Sequence, residues 1–570
     1  MARWLTAVFC AVLGLALVGL GLLVPAHLRA VEAHVLRVAG RKTPSVVQEG
    51  MALLRERRVG PAQLLLKAAN ELSLPDRGIL ETGVKEFTAL VPKVVAWGVP
   101  DMRVDTLFWA DTRLSNSVPQ PVTEVVLRLE NRGKLLAYLN ASASYEMRDL
   151  LATRALTNTS VLPESGSASG QAFDAAVGIA GLLMDAGHLH PAFRDELAES
   201  ARLAVRSGKS EPFEQSLLDL LLLGQRLNYG QLVQFVSRVE TLQDLRTLAH
   251  AASRSEERFA RVYAAVLLSE RPALVGRYLM DFSESGLDDL DASLRFHAGG
   301  TRHLLERHRR LYAPAWRAQL ARTGPLAAVV HEASEYALAL PWVALGLKWL
   351  CYLAAGFVVA LGFHAARRVG DWELPLQVRG FHLAREFLFA LGFLVFLLLV
   401  SEPFLAQDSQ KAELPFRLRL PMVTGAAALA TKTSSNSSLM NQLSLLTLLL
   451  FFVLQALIYT ACLVKLAEIR RQNVGPRIKL KLLDNEDHLF DAGLYLGFVG
   501  TIISLILVSL GVIKPSLMAA YSSTSFGIIF VSIFKIFHLR PLRRKLLLEA
   551  ELNYDTPVEQ APAQPCPNAT

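Results

Sequence analysis

Six stretches of this chain stay apolar for ~20 residues, the length a helix needs to cross the hydrocarbon of a bilayer. They cover residues 4–24, 341–363, 387–405, 443–466, 493–513 and 516–537. The long interval between the first two, 32–335, has a different texture. Apolar residues recur there at three- and four-residue spacing among charged ones, as in 171–187, 191–207, 212–227, 241–252, 256–269 and 287–297. That period predicts amphipathic helices. Short breakers part them, such as Gly187-His188-Leu189-His190-Pro191 and Ser283-Glu284-Ser285-Gly286. Ser210 ahead of Glu211-Pro212, and Ser253 ahead of Glu256, have the form of helix caps. Repeated helical hairpins of this kind predict a solenoid or an irregular bundle. The expected fold class is all-α: a polytopic membrane protein with six transmembrane helices and one large helical exported domain.

Composition divides the chain further. Residues 1–30 form a predicted membrane anchor, retained because the apolar run exceeds a signal-peptide core and Leu28 spoils the cleavage site. The Ser/Thr/Gly-rich stretch 157–170 predicts a linker between two exported subdomains, 31–156 and 171–335. Within the first, 97–121 is irregular enough to hold short strands. Residues 336–442 contain spans two and three with an outer loop, and 443–552 the last three spans. The tail 553–570, with four prolines, is expected to be disordered.

Charge orients the spans. The chain carries a formal +8, and its basic residues cluster. Arg367, Arg368, Arg379 and Arg385 lie between spans two and three. Lys465, Arg470, Arg471, Arg477, Lys479 and Lys481 follow span four, and Lys535, Arg540, Arg543, Arg544 and Lys545 follow span six. Positive segments stay in the cytoplasm, which puts both termini inside and 31–335 on the periplasmic or extracellular side of a cell membrane, most simply a bacterial inner membrane. Basic residues that flank spans contact lipid head groups and argue against a nucleic-acid partner.

Candidate chemistry is sparse. Of four cysteines, Cys10, Cys351 and Cys462 sit in spans and Cys566 in the tail. The exported domain therefore has neither disulfides nor thiolate metal sites. Ser167 and Ser169 miss the third position of a nucleophile elbow, which Ala168 fills. His331-Glu332 lacks a second histidine at helical spacing, and His297, His303 and His308 stand among arginines. His188 and His190 have no third ligand. Asp281, Glu284, Asp288, Asp289 and Asp291 lack calcium-loop spacing and suit a helix cap. No catalytic, cofactor-binding or metal site is predicted. Lys348, inside span two, is expected to snorkel to the outer surface.

The last hairpin is the exception. It holds Leu496-Gly497-Phe498-Val499-Gly500-Thr501-Ile502-Ile503-Ser504 in span five and Ala520-Tyr521-Ser522-Ser523-Thr524-Ser525-Phe526-Gly527-Ile528 in span six, joined at Lys514-Pro515. Hydroxyls in hydrocarbon need partners, because lipid offers none. The pattern resembles the TolQ–ExbB–MotA proton-channel family, which has Leu-Gly-x-x-Gly-Thr in one span and Ala-Leu-x-Thr-Thr-x-x-Gly-Leu in the next. Leu496, Gly497, Gly500 and Thr501 match the first motif; Ala520, Thr524 and Gly527 match the second. Ser523, Tyr521 and Ile528 replace a threonine and two leucines. The chain has Phe530-Val531-Ser532-Ile533 where the family usually has a proline, and a shorter cytoplasmic loop.

The resemblance covers only the last three spans. It implies a homo-oligomeric ring in which Thr501, Ser504, Ser523 and Thr524 border an ion path while Gly497, Gly500 and Gly527 allow close helix packing. It further implies that the titrating aspartate belongs to a single-span partner of the ExbD–TolR–MotB type. The expected function is a membrane assembly component that couples ion flow to the exported domain. The alternative is a non-conducting scaffold or receptor whose exported domain binds another protein. An enzyme comes third.

Overall fold

The computed structural model describes residues 2–92, 94–108, 119–254, 256–320, 324–367, 381–404, 442–509 and 517–552. Among these the chain is helical throughout except for turns and two three-residue strands, Ala30–Glu32 and Arg310–Tyr312. It divides into two compact units: Pro25–Pro341, and Met1–Val24 together with Trp342–Thr570.

The Pro25–Pro341 unit is built around one continuous apolar core that runs from Val31 to Leu311. Tyr229–Val236 lies inside it with all 8 residues buried, and two longer helices do so as well. Gln171–Asp185 buries residues on every face, because its glycines admit close neighbours; a Cβ on Gly181 would stand 2.7 Å from Leu139 Cδ1. Phe259–Ser269 is also buried all round. Its 11 residues span only ~17 Å, too short for a bilayer, so it is a core helix. Surface helices bury a single stripe. Leu242–Arg254 turns Leu245, Leu248, Ala249 and Ala252 inward, at the spacing the sequence predicts.

Several local expectations change. Ser253 lies inside the Leu242–Arg254 helix and donates to His250 O at 2.8 Å. Ser210 does stand at the N-cap of Glu211–Gly224, yet its hydroxyl goes to Asn158 O at 2.9 Å. The side-chain caps are instead Ser45 and Asn228, each in a reciprocal box with a glutamine three residues on. The 283–286 breaker does not end a helix. It kinks one, Pro272–Leu294, at Ser283 (φ 49°). The stretch 97–121 forms no strand among its described residues. Asp101 Oδ1 accepts from the amides of Arg103 and Val104 at 2.8 and 3.3 Å and so starts the Met102–Phe108 helix.

The 157–170 stretch is docked rather than loose. The buried carboxylate of Glu214 accepts from the amides of Ser160, Val161 and Leu162, and Leu162 enters the core. Burial alone would raise the Glu214 pKa; the hydrogen bonds from these amides outweigh it and hold the carboxyl below its ordinary value.

The two strands pair in parallel, with Val31 opposite Leu311, and tie the unit's ends together. Beside them Glu32, buried and 3.5 Å from His27 Nε2, pairs with the buried guanidinium of Arg317. The acidic group 281–291 is not a helix cap. Asp288 pairs with Arg258 at 2.6 Å, Asp291 with Arg261, Asp289 with Arg310, and Asp281 with His308 at 2.9 Å. These carboxylates face basic side chains from neighbouring elements, which local sequence does not display.

In the other unit, four helices are long and apolar enough to cross a membrane: Trp4–Leu23, Pro341–Phe363, Leu448–Arg471 and Tyr521–Glu551. The predicted spans three and five correspond to shorter apolar helices, Glu386–Ser401 and Ala492–Ile503. The Lys514-Pro515 turn, most of the 401–441 loop and the 553–570 tail lie outside the described residues. Glycines bring the helices together. A Cβ on Gly21 would strike Tyr352 Cε1 at 2.5 Å, and one on Gly356 would meet Ala390 Cα at 2.8 Å. Lys348 does not snorkel. It is buried and pairs with Glu402 at 3.2 Å, just past the Phe381–Ser401 helix. A nearby buried carboxylate offers the ammonium a better partner than a stretch toward water.

Candidate functional site

The hairpin helices are Ala492–Ser509 and Leu517–Phe534. They pack along their small-residue faces, and the Gln442–Arg471 helix covers the seam. Phe452 meets Phe526 and Phe530 with ring centroids 5.6 and 5.4 Å apart, and Tyr459 meets Phe530 at 5.7 Å. Gly497 and Gly527 sit at backbone approaches, and Gly500 faces the Ser523 side chain. A Cβ on Gly497 would stand 2.8 Å from Ser523 O; one on Gly527 would stand 2.7 Å from Gly493 O. A Cβ on Gly500 would collide with Ser523 Oγ. Only hydrogen fits at these positions.

That approach joins two of the predicted residues. Thr501 Oγ1 and Thr524 Oγ1 are 2.5 Å apart. Both also reach the carbonyl of Gly497, at 3.1 and 3.2 Å. Two hydroxyls bring two protons to these three contacts. One hydroxyl therefore donates to the other, and the second donates to the carbonyl. Rotating both hydroxyls reverses the order, keeps the number of bonds and passes the carbonyl bond from one threonine to the other. Thr501 is nine residues into its helix, a rise of ~14 Å from Ala492.

Ser523 is buried beside Gly500 but does not join the threonines; its Oγ has no hydrogen-bond partner among the described residues. The Ser504 side chain lies outside the described residues. Gln455 completes the polar seam and was not anticipated. It is buried on the Gln442–Arg471 helix, and its Nε2 donates to Gly493 O at 2.9 Å while its Oε1 is left unpaired. The signal was available: one amide within the apolar run Leu454-Gln455-Ala456-Leu457. Gly493, whose carbonyl meets both Gln455 and the Gly527 position, was missed with it.

Ion pairs secure the base of the hairpin. Lys535 Nζ is 2.7 Å from Asp491 Oδ1, and Arg543 is 2.6 Å from Asp484. Neither hairpin helix contains an aspartate or glutamate in its described residues. No group of three or more potential metal ligands occurs among the described residues. Three of the histidines considered as ligands meet carboxylates: His188 lies 3.2 Å from Asp101, His308 2.9 Å from Asp281, and His331 3.3 Å from Glu335. His303 is pushed down to about 4 by burial and by Arg307.

Compared with known proteins, the chain matches no family model, no curated protein and no solved structure.

Proposed function

We propose that the chain is a six-span subunit of a membrane assembly that couples ion movement through its last three spans to the helical Pro25–Pro341 unit. The observation that carries this is the Thr501–Thr524 hydroxyl pair on the Gly497 carbonyl. Its two equivalent proton arrangements are what a relay needs, since each hydroxyl must accept from one side and donate to the other. The oxygens of Ser523, on the hairpin, and Gln455, on the helix that covers it, have no hydrogen-bond partner among the described residues and extend the polar seam. A titrating acid is required to complete a relay. It would come from a single-span partner, as the resemblance to TolQ–ExbB–MotA proteins implies, and the assembly would be a ring of identical subunits. The basic segments between and after the spans support a topology with the Pro25–Pro341 unit outside the cytoplasm.

The scaffold reading has one observation in its favour. The threonine hydroxyls satisfy each other, as they would in a hairpin held together by packing alone. Thr501→Val with Thr524→Val separates the two. Valine keeps the shape and removes the hydroxyl. Ion coupling predicts that proton flux in proteoliposomes, or the dependent phenotype in cells, is abolished while complex yield is retained. Packing predicts a loss of ~0.6–2 kcal/mol of stability per site with function intact. Full activity in the double variant excludes the ion path.

A further inference from the structure

A cavity of about 590 Å³ opens beside the end of the fourth predicted span, between the Gln442–Arg471 helix and the Arg540–Leu552 helix. Its volume falls in the ~300–1,000 Å³ range of small-ligand sites. Leucines from both helices and Phe537 supply apolar lining; Arg470, Lys479 and Lys545 supply basic lining, with Glu549 the one carboxylate among the lining residues. Three cations against one acid leave a local charge of +2. Lys479 Nζ donates to Arg470 O at 3.1 Å, and Lys545 lies 3.8 Å from Glu549.

The helix beneath the cavity is interrupted. Lys535–Leu539 forms a π-helical turn before the Arg540–Leu552 helix begins. Such turns are rare and mark functional sites disproportionately. This one carries His538 into the lining, with its Nδ1 buried and unpaired. The apolar run Leu448–Arg471 ends at this level, so the cavity straddles the boundary between hydrocarbon and head groups.

We propose that the cavity binds an anionic phospholipid, its phosphate held by Arg470, Lys479 and Lys545 and its first methylenes laid along the leucine wall. A phosphate diester has the charge and acceptor oxygens that this cluster selects. The attached chain explains why the cations adjoin apolar wall rather than water. Basic pockets between membrane helices at the cytoplasmic surface are suited to such head groups. The inference does not depend on ion coupling.

The test uses the full-length protein in mild non-ionic detergent, with lipid adducts counted by native mass spectrometry. Palmitoyl-oleoyl phosphatidylglycerol is the probe; phosphatidylcholine with the same chains and inorganic phosphate are the comparators. Phosphatidylglycerol is expected to add with at least ten-fold preference over phosphatidylcholine. Arg470→Gln with Lys479→Gln should weaken it at least ten-fold. Glu549→Gln should strengthen it about three-fold, an effect that damage to the fold would not produce, so this arm stands even if the double variant fails to assemble. Equal retention of the two lipids would overturn the proposal. So would displacement by millimolar inorganic phosphate, which would identify a free-anion site, and so would unchanged or weaker binding in Glu549→Gln.

Discussion

Gly497→Ala tests the geometry on which the functional proposal stands. The new Cβ would lie 2.8 Å from Ser523 O and 3.2 Å from Thr524 Cα. Both are backbone atoms of a helix, so no side chain can swing aside. A carbon-to-oxygen contact relaxes only at about 3.3 Å, and the hairpin helices must part by roughly 0.5 Å. That stretches the Thr501–Thr524 contact from its 2.5 Å and pulls Thr524 from the Gly497 carbonyl. Overpacking costs about 1–3 kcal/mol, while alanine returns about 0.5–1 kcal/mol of helix propensity. The net loss should be about 0.5–2 kcal/mol. Gly346→Ala is the control. It lies in the Pro341–Arg367 helix with nothing within 4 Å of the added Cβ, so only the propensity gain remains. The two variants should therefore differ by about 1–3 kcal/mol in unfolding by SDS in mixed micelles, followed by helical circular dichroism. If Gly497→Ala proves as stable as Gly346→Ala, the hairpin is not closely packed at the threonines, and their hydroxyls do not meet.

Two further outcomes follow from buried charges. Asp101 is held down to about 2: burial alone would raise it, but His188 and the amides of Arg103 and Val104 prevail. A depressed carboxylate stabilises the fold above its unfolded value of 3.8 and loses that contribution as pH falls toward 2. Melting of the full chain between pH 5 and pH 2.5 should fall more steeply for wild type than for Asp101→Asn, by at most about 2 kcal/mol after solvent screening; parallel curves would refute the assignment. For Lys348 and Glu402, Lys348→Met alone should cost about 3–5 kcal/mol by stranding a buried carboxylate, and adding Glu402→Gln should recover most of it. Additive losses in the same micelle assay would show that the two groups do not interact.

The sequence carried the fold wherever the information was periodic. Leu245, Leu248, Ala249 and Ala252 predict a helix and its buried face without outside help. The glycines of the last hairpin predict close approach, because hydrogen alone allows it, and each is found against backbone or a buried hydroxyl. Several failures share one cause: a partner far away in sequence. Glu32 meets Arg317 across 285 residues, and the strand beside it exists only because Arg310–Tyr312 returns to pair with it. The 157–170 stretch has linker composition but docks because Glu214, more than 50 residues later, collects three of its amides. Lys348 looked solitary because Glu402 lies 54 residues on. Gln455 is different. A single amide in an apolar span was visible, and its meaning became clear only when Gly493 O was seen within reach.

The seam around Gln455 also bears on why this hairpin is polar at all. Packing by itself is served at lower cost without hydroxyls. Alanine at 523 would fill the space beside Gly500 with no acceptor to satisfy, and leucine at 455 would cover the Gly493 turn as an apolar side chain. Ser523 Oγ and Gln455 Oε1 are buried without partners among the described residues, and each such atom costs about 1–3 kcal/mol. The Thr501–Thr524 pair avoids that penalty by closing on itself. The hairpin and the helix that covers it thus combine a paired, reversible threonine couple with two buried oxygens that have no hydrogen-bond partner among the described residues. Under the proposed ion path, protons or hydrated ions passing the threonines would satisfy those oxygens. Under packing alone, Ser523→Ala and Gln455→Leu should cost no stability and leave function intact, so these two variants separate the readings.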